Sequence, residues 1–533
     1  MKIALSQLNV TPGALLQNQA KITEHIRQAV KEGADLLVCG EMSLCGAPLY
    51  DLVSVPGFLD QCRRLADELS KLAPTMGILL GMPTLSEGQV FNSAVYLYGG
   101  WVQKIISKNS ISREEAGFYV PVENSVYRNV IEHWDERILV VVGDDLSGVH
   151  RLPCFDQPET TPACIVQLNA LSFRQGIFSE NRQKLSDKSR SLHTPLVHVN
   201  LAGGCTDRVY TGGSAVFDRK GRLVAELKEF EEDFRVVDLK REDDGNALPL
   251  RERDEAGEVY EAAVTGLRDY CRKAGFSSVC LGLSGGIDSA VVAAVAAGAL
   301  GASHVHALMM PSPFSSEHSV YDAVELSLNL GIKCEKIEIG EIYDAFIRQL
   351  SPLFQDLPFS VAEENIQARI RCVLLMGVAN KFGYLLLNTS NKSEGAVGYG
   401  TLYGDDTGGL SILGDLYKTD VYRLAAYINR KKKVIPQHII DKAPSAELSP
   451  GQKDSDTLPP YEVLDRVLYG LIEENLPVVE VAALGFAPEM VERVSRMLTK
   501  NEYKRYQFCP TLRMSSCPLG QGRVMPVIHG YKL

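Results

Sequence analysis

Short apolar runs alternate with stretches of helical period through the first 240 positions. IALSQLNV at 3–10 reads as a strand, and residues 18–32 follow as a helix with Ile22, Ile26, Ala29 and Val30 on one face. DLLVC at 35–39 is a strand, 57–72 a helix and GILLGM at 77–82 a strand. AVYLY and WVQKI, joined by Gly99–Gly100, read as a hairpin over 94–105. ILVVV at 138–142, CIVQL at 164–168 and LVHVN at 196–200 read as buried strands, and 214–227 as a second hairpin. Strands mixed with helices and hairpins predict a layered α/β domain with mixed sheets.

The pattern then changes. Residues 229–258 are charge-rich with few apolar positions, which places a linker at 241–257 between domains at 1–240 and 258–533. Beyond it come a helix at 258–273, a strand at 278–283, a Gly-rich turn and an Ala/Val-rich helix at 289–300. A strand at 304–310, a helix at 316–330, a strand at 333–339, a long helix at 361–382 and a strand at 384–388 follow. The long helix is read with Ile366, Ile370, Val373, Leu374 and Gly377 on one side. This β-α-β-α order predicts a doubly wound parallel sheet, which binds ligands at the carboxyl ends of its strands.

Composition narrows the function classes. The 533 residues are 45% hydrophobic and 23% charged, with a net charge of −11. These are ordinary globular values, and the acidic balance disfavours coating nucleic acid by bulk charge. No apolar run is long enough for a membrane span, and the N-terminus lacks the pattern of a secretory signal. Twelve scattered cysteines without a CxxC pair fit reduced thiols and a cytoplasmic setting, and ten histidines show no zinc-binding spacing.

Chemistry concentrates at VCLGLSGGIDSA, 279–290. An apolar strand ends at Leu283, and Ser284, Gly285, Gly286, Ile287, Asp288 and Ser289 turn into a helix. Glycines there let backbone N–H groups approach an oxyanion, and the helix N-terminus adds positive partial charge. An aspartate beside a bare phosphate would be repelled, so Asp288 makes sense as a ligand of Mg²⁺ bridging carboxylate and phosphate; Mn²⁺ uses similar oxygens. The GxxxxGK[ST] loop is absent, and the segment resembles the pyrophosphate loop of ATP pyrophosphatases.

Four more blocks sharpen the likeness: ENIQARIR at 364–371, LNTSNKSEGAVGYGTLYGD at 387–405, YKTDVYRLA at 417–425 and PSAELSPGQKDSDTLPPYEVLD at 444–465. From about residue 258 onward the chain resembles the NAD⁺ synthetases, which amidate nicotinic acid adenine dinucleotide through an acyl-adenylate, releasing pyrophosphate and AMP. Rival families fit less well. Asparagine synthetases carry a cysteine at position 2, where this chain has Lys2, and no block matches the glutaminase triad of GMP synthetases. The resemblance implies Mg²⁺ on Asp288 and Glu394 and pyrophosphate on the 284–289 corner. It puts Lys418, Ser445 and Thr389 on ATP, and Asn365, Arg369, Tyr399 and Asp405 on the dinucleotide. Taken singly, Glu394 would read as a solvated turn residue, Lys418 as a surface lysine and Arg430–Lys433 as a solvated helix end. Arg369 and Arg371 lie two apart, so at most one faces a ligand. The family's pairing of synthetase domains implies a homo-oligomer.

The glutamine-dependent members carry a nitrilase-like α-β-β-α amidase domain in front, with a Glu–Lys–Cys triad that releases ammonia from glutamine. GADLLVCGEMSLCGAPLYDL at 33–52 resembles its glutamate block, with Glu41 as general base, and ISKNSIS at 106–112 its lysine block, with Lys108. The cysteine block departs: ILVVVGDDLSG at 138–148 puts Gly143 at the nucleophile position, flanked by Asp144 and Ser147. A second departure is Cys205–Thr206–Asp207, where the family has Gln-Asp-Glu ahead of Gly212–Gly213–Ser214. Three readings stay open. The amidase has decayed and the enzyme takes free ammonia or ammonia from a separate glutaminase; the front domain is an oligomerisation or docking module; or Cys154, Cys164 or Cys205 replaces the nucleophile.

Overall fold

Two six-stranded sheets organise the first half of the computed structural model, which describes every residue except 123–128, 152–160, 243–246, 249–252, 356, 521 and 532–533. The chain divides into two units, Met1–Glu252 and Arg253–Leu533. In the first unit the elements run β1 (Lys2–Gln7), α1 (Leu15–Glu32), β2 (Leu36–Cys39), α2 (Phe58–Ser70), β3 (Gly77–Ser86), β4 (Gln89–Tyr98) and β5 (Trp101–Ser107). Then follow β6 (Val130–His133), β7 (Glu136–Val142), β8 (Cys164–Asn169), α3 (Ile177–Leu192), β9 (Leu196–Asn200), β10 (Ala202–Cys205) and β11 (Arg208–Thr211). The unit closes with β12 (Ala215–Phe217), β13 (Leu223–Glu226), β14 (Asp233–Asp238) and the short α4 (Leu239–Glu242).

The sheets have the orders β14-β1-β2-β3-β4-β5 and β13-β12-β9-β8-β7-β6. Alternation along the strands decides the layering. Ile3, Leu5, Leu36 and Val38 of one sheet meet Val140, Val142, Val166 and Val197 of the other in one apolar cluster. The alternate residues Ala4, Leu37, Ile78 and Leu80 pack on α1 and α2 through Ile22, Ile26, Leu65 and Leu69. Leu139, Val141 and Ile165 pack with Leu185 of α3. The result is an α-β-β-α sandwich. Each fully buried aliphatic side chain contributes about 1.5–3 kcal/mol relative to exposure.

Two details depart from the pattern reading. Val30 is exposed, because Ile22, Ile26 and Ala29 complete the stripe and Val30 lies one step beyond it. The charge-rich stretch after 229 contains β14, which pairs antiparallel with β1 from Lys2↔Asp238 to Gln7↔Asp233; its apolar content is only Phe234, Val236 and Val237.

The second unit starts with α5 (Glu255–Ala274), β15 (Val279–Gly282), α6 (Ile287–Leu300), β16 (Val305–Met309), α7 (Glu317–Leu330) and β17 (Lys333–Lys336). It continues with α8 (Gly340–Phe354), α9 (Val361–Phe382), β18 (Leu385–Asn388), α10 (Lys392–Val397), β19 (Leu410–Ser411), α11 (Lys418–Ile428) and α12 (Gln437–Asp441). The last helices are α13 (Tyr461–Ile472), α14 (Val478–Ala483), α15 (Pro488–Lys500) and α16 (Glu502–Arg505). Its five strands, all parallel, have the order β17-β16-β15-β18-β19. The order reverses at β15, so the loops leaving β15 and β18 open a crevice at the carboxyl edge. On α9 the expected face is corrected: Ile366 and Ile370 are buried, whereas Val373 and Gly377 are exposed. Apolar residues lie all round that helix, so periodicity had no single stripe to choose. The buried line runs instead through Ala368, Cys372 and Ala379.

Candidate active site

The crevice of the second unit holds a cavity of about 300 Å³. The corner leaving β15 shapes one end. Gly285 sits at φ +76°, and a Cβ there would stand 2.3 Å from the Ser319 carbonyl oxygen, so only glycine lets the corner lie against the start of α7. The corner is tied internally: Ser289 Oγ donates to the Gly286 carbonyl at 3.0 Å, and the Gly286 N–H donates to Ser284 Oγ at 3.2 Å. Gly286 precedes the first turn of α6, whose unsatisfied N–H groups face the crevice end.

Charge gathers beside this corner. Lys418, at the first position of α11, is buried, and its Nζ lies 2.5 Å from Asp288 Oδ2 and 3.3 Å from Glu394 Oε1. Asn391 Nδ2 donates to Asp288 Oδ1 at 2.9 Å, and an Asn391–Glu394 capping box opens α10. Burial, with Asp288 and Asp454 nearby, pushes the Glu394 carboxyl up to about 8 despite Lys418. Burial opposes the Lys418 charge, but Asp288 and Glu394 outweigh it and raise that pKa. Two carboxylates, Asp288 and Glu394, therefore share one lysine, with Asp454 at longer range, and a second cation would balance their negative oxygens.

Ser284, Gly286, Ile287, Asp288, Ser289, Thr389, Glu394, Tyr399, Asp405, Lys418 and Ser445 all border the cavity. Asn365 and Arg369 do not. They lie i, i+4 on another face of α9, where Asn365 Oδ1 accepts from Thr401 Oγ1 at 2.8 Å and the exposed Arg369 donates to the Leu402 carbonyl at 3.2 Å. Arg371 takes the place at the cavity wall instead. Lys442 and Asp454 also border the cavity and were not singled out. Asp454 stands inside the block at 444–465 and Lys442 two positions before it, but a lysine and an aspartate in a polar loop look solvated until the loop is seen to fold inward. Glu447 ties that loop down by accepting from Lys442 Nζ at 2.7 Å and from Ser319 Oγ at 2.8 Å. Arg430–Lys433 is exposed, as expected.

In the first unit Glu41, Lys108 and Gly143 converge at the ends of β2, β5 and β7. Glu41 and Lys108 are buried, with Nζ 3.0 Å from Glu41 Oε1 and 2.8 Å from Glu115 Oε1. Asn92 Nδ2 donates to Glu41 Oε1 at 2.6 Å, and the Ala170 N–H donates to Oε2 at 3.0 Å. Burial opposes the lysine charge, but Glu41 and Glu115 outweigh it; reciprocally, Lys108 holds Glu115 below the usual carboxylate range. Gly143 has φ +56°, and a Cβ on it would meet Lys108 Cε at 2.6 Å and Nζ at 2.7 Å. The lysine thus occupies the space that a side chain at 143 would need.

A buried relay supports that backbone. Gln167 Nε2 donates to the Gly143 carbonyl at 2.7 Å, and Gln167 Oε1 pairs with His198 Nδ1 at 2.8 Å. Burial lowers the His198 pKa from 6.5 to about 4. The fold favours neutral imidazole, so this stability is complete above pH 6.5 and is lost as pH falls toward 4. At 1.36 kcal/mol per unit the loss is about 3 kcal/mol. Urea unfolding followed from about pH 7 to about pH 4.5 should register most of it, and His198→Gln should flatten that stretch of the profile. An equally steep decline in the variant would assign the effect elsewhere.

Of the candidate substitute cysteines, Cys164 lies apart from this cluster. Cys164 is level with Ile138, five positions before Gly143, so it sits roughly 16 Å back along the sheet. Burial pushes its thiol up to about 12. Cys205 is buried on β10 in the apolar cluster that includes Cys45 and Tyr210. Cys154 lies outside the described residues.

Comparison with known proteins agrees with both units. The NAD synthase family model matches residues 259–508, and the carbon-nitrogen hydrolase model matches residues 2–112. The glutamine-dependent NAD(+) synthetase of Synechocystis sp. is 38% identical over 99% of both chains. That of Acinetobacter baylyi is 35% identical over 100% of this chain and 99% of its own. A solved structure of the Acinetobacter baumannii enzyme in complex with ADP superposes with a TM-score of 0.78 at 34% identity, over 99% of this chain and 98% of the other. Full-length identity at this level, on a sandwich followed by a doubly wound nucleotide fold, leads to one conclusion: the chain belongs to the family of glutamine-dependent NAD(+) synthetases, carbon–nitrogen ligases that use ATP as co-substrate.

Proposed function

We propose that this chain makes NAD⁺ by adenylating the carboxylate of nicotinic acid adenine dinucleotide and aminating it with ammonia that its own front unit does not produce. The carboxylate attacks the α-phosphorus of ATP, the bond to the bridging oxygen breaks, and pyrophosphate leaves with that electron pair. Ammonia then adds to the acyl carbon and AMP departs. The reading of the rear unit rests on the corner at 284–289 with Lys418 beside it. The Ser284 and Ser289 hydroxyls and the α6 N-terminus are placed for the pyrophosphate oxygens, and Lys418 supplies fixed positive charge as negative charge shifts onto the leaving group.

Asp288 and Glu394 would hold Mg²⁺: both are hard oxygen donors beside the corner, each also meeting Lys418 Nζ. Bound by these two residues, Mg²⁺ would supply charge neutralisation for the triphosphate. Tyr399 and Asp405 serve the dinucleotide from inside the cavity; Asn365 and Arg369 serve it from the outer face of α9. Val361 and Val373, apolar side chains exposed on α9, favour pairing of two such units in a homo-oligomer.

The nitrogen source is read from Gly143. The family's amide transfer requires a thioester, glycine has no side chain to form one, and Lys108 fills the adjoining space. Glu41 and Lys108 then act as a buried ion pair. Ammonia comes from solution or from a separate glutaminase in the cytoplasm. The front unit becomes a docking module, for which Trp101 and Ile105, exposed on edge strand β5, offer apolar contact. Among the described residues no helix is long and apolar enough to cross a membrane. The product balance tests the adenylation: one AMP and one pyrophosphate are expected per NAD⁺, measured by anion-exchange chromatography. Release of ADP and phosphate instead would replace the acyl-adenylate by an acyl phosphate.

A further inference from the structure

We infer that Arg371 is an anion-binding residue of the synthetase cavity and holds the α-phosphate of ATP and then of the acyl-adenylate. This rests on the reading of the cavity as the adenylation site. Arg371 borders that cavity from α9. Its Nε donates to the Met310 carbonyl at 2.9 Å, which fixes the plane of the guanidinium. Among the described residues neither terminal nitrogen has a protein acceptor, and no carboxylate lies within ion-pair distance of it. Those nitrogens are also not among the sealed, unsatisfied polar atoms, so they keep accessible surface on a residue that lines the cavity. An arginine largely withdrawn from water, with four N–H donors unmatched, is half of an ion pair whose other half is not protein. Burial lowers its pKa to about 10, with Asp405 and Glu447 partly offsetting this at longer range, so it stays charged at neutral pH.

Location selects the anion. Leu375, one turn along α9 from Arg371, and Met310, its hydrogen-bond partner, both approach a Cβ built on Gly282 to 3.5 Å. Gly282 ends the strand that enters the pyrophosphate corner, so Arg371 stands just beside that corner on the β16 side. The corner and Lys418 serve the departing end of the triphosphate, and the phosphate nearest Arg371 is the one that stays behind. A planar fork suits its two non-bridging oxygens. Arg371 moves no proton; it only donates hydrogen bonds while the phosphorus is attacked.

Binding of AMP and of adenosine to the whole protein, measured by calorimetry, separates this role from a structural one. Arg371→Ala should weaken AMP by about 10- to 100-fold, the range for a lost charge-assisted hydrogen bond, and leave adenosine unchanged. Turnover of that variant should fall chiefly in kcat and recover in part with added guanidinium. Arg371→Lys, which keeps charge but loses the fork, should show a smaller AMP defect and serves if the alanine variant melts below the assay temperature. Equal weakening of AMP and adenosine, or of neither, overturns the assignment. A wild-type protein that binds no AMP and forms no NAD⁺ would instead overturn the reading of the cavity.

Discussion

Purified protein given ATP, nicotinic acid adenine dinucleotide and ammonium is expected to form NAD⁺, and glutamine in place of ammonium is expected to support turnover lower by roughly four orders of magnitude or more. The magnitude follows from losing a covalent nucleophile, since acid–base and positioning groups left without one retain little of their effect. Glu41→Gln should leave the ammonium-dependent rate unchanged, because Glu41 has no part in a reaction fed from outside. Gly143→Cys should not restore glutamine use by itself: its Cβ must displace Lys108, which Glu41 and Glu115 hold at 3.0 and 2.8 Å. That variant is expected to lose about 2 kcal/mol of stability through overpacking and positive φ. Comparable rates from glutamine and ammonium in the wild type would return the glutaminase to this chain.

Asp288→Asn should lower conversion of ATP to AMP by roughly 10³-fold, as expected when charge opposite a transferring phosphoryl group is removed. The substitution is nearly isosteric. It removes one of the two carboxylates that meet Lys418 Nζ while keeping an acceptor for Asn391, so folding should be preserved. Thermal unfolding within a few degrees of the wild type would show that the loss is chemical. Retained activity would remove Asp288 from the site and leave Glu394 without a partner on the phosphate side.

Much of this molecule was legible in its residues. Alternation gave the strands that form the sandwich, because each half-buried strand must present every second side chain to the core. The corner at 284–289 was legible because strand, glycines and helix start follow one another along the chain, so local sequence contains the whole device. Glu394 and Lys418 were legible only through their neighbours in the blocks at 387–405 and 417–425. By itself a lysine at the start of a helix carries no sign that it will be buried between Asp288 and Glu394.

The residues alone settle the pair of folds, the strand–glycine–helix corner at 284–289 and the glycine at position 143. Only the tertiary structure decided which side of α9 faces the cavity, bringing Arg371 to the wall and leaving Arg369 and Val373 outside. Only it placed Glu115 beside Lys108 and Cys164 at the far end of its strand. The reason is physical. Periodicity reports which residues share a face, whereas the face that is buried depends on what packs against it, and neighbours distant in sequence exert that choice through space.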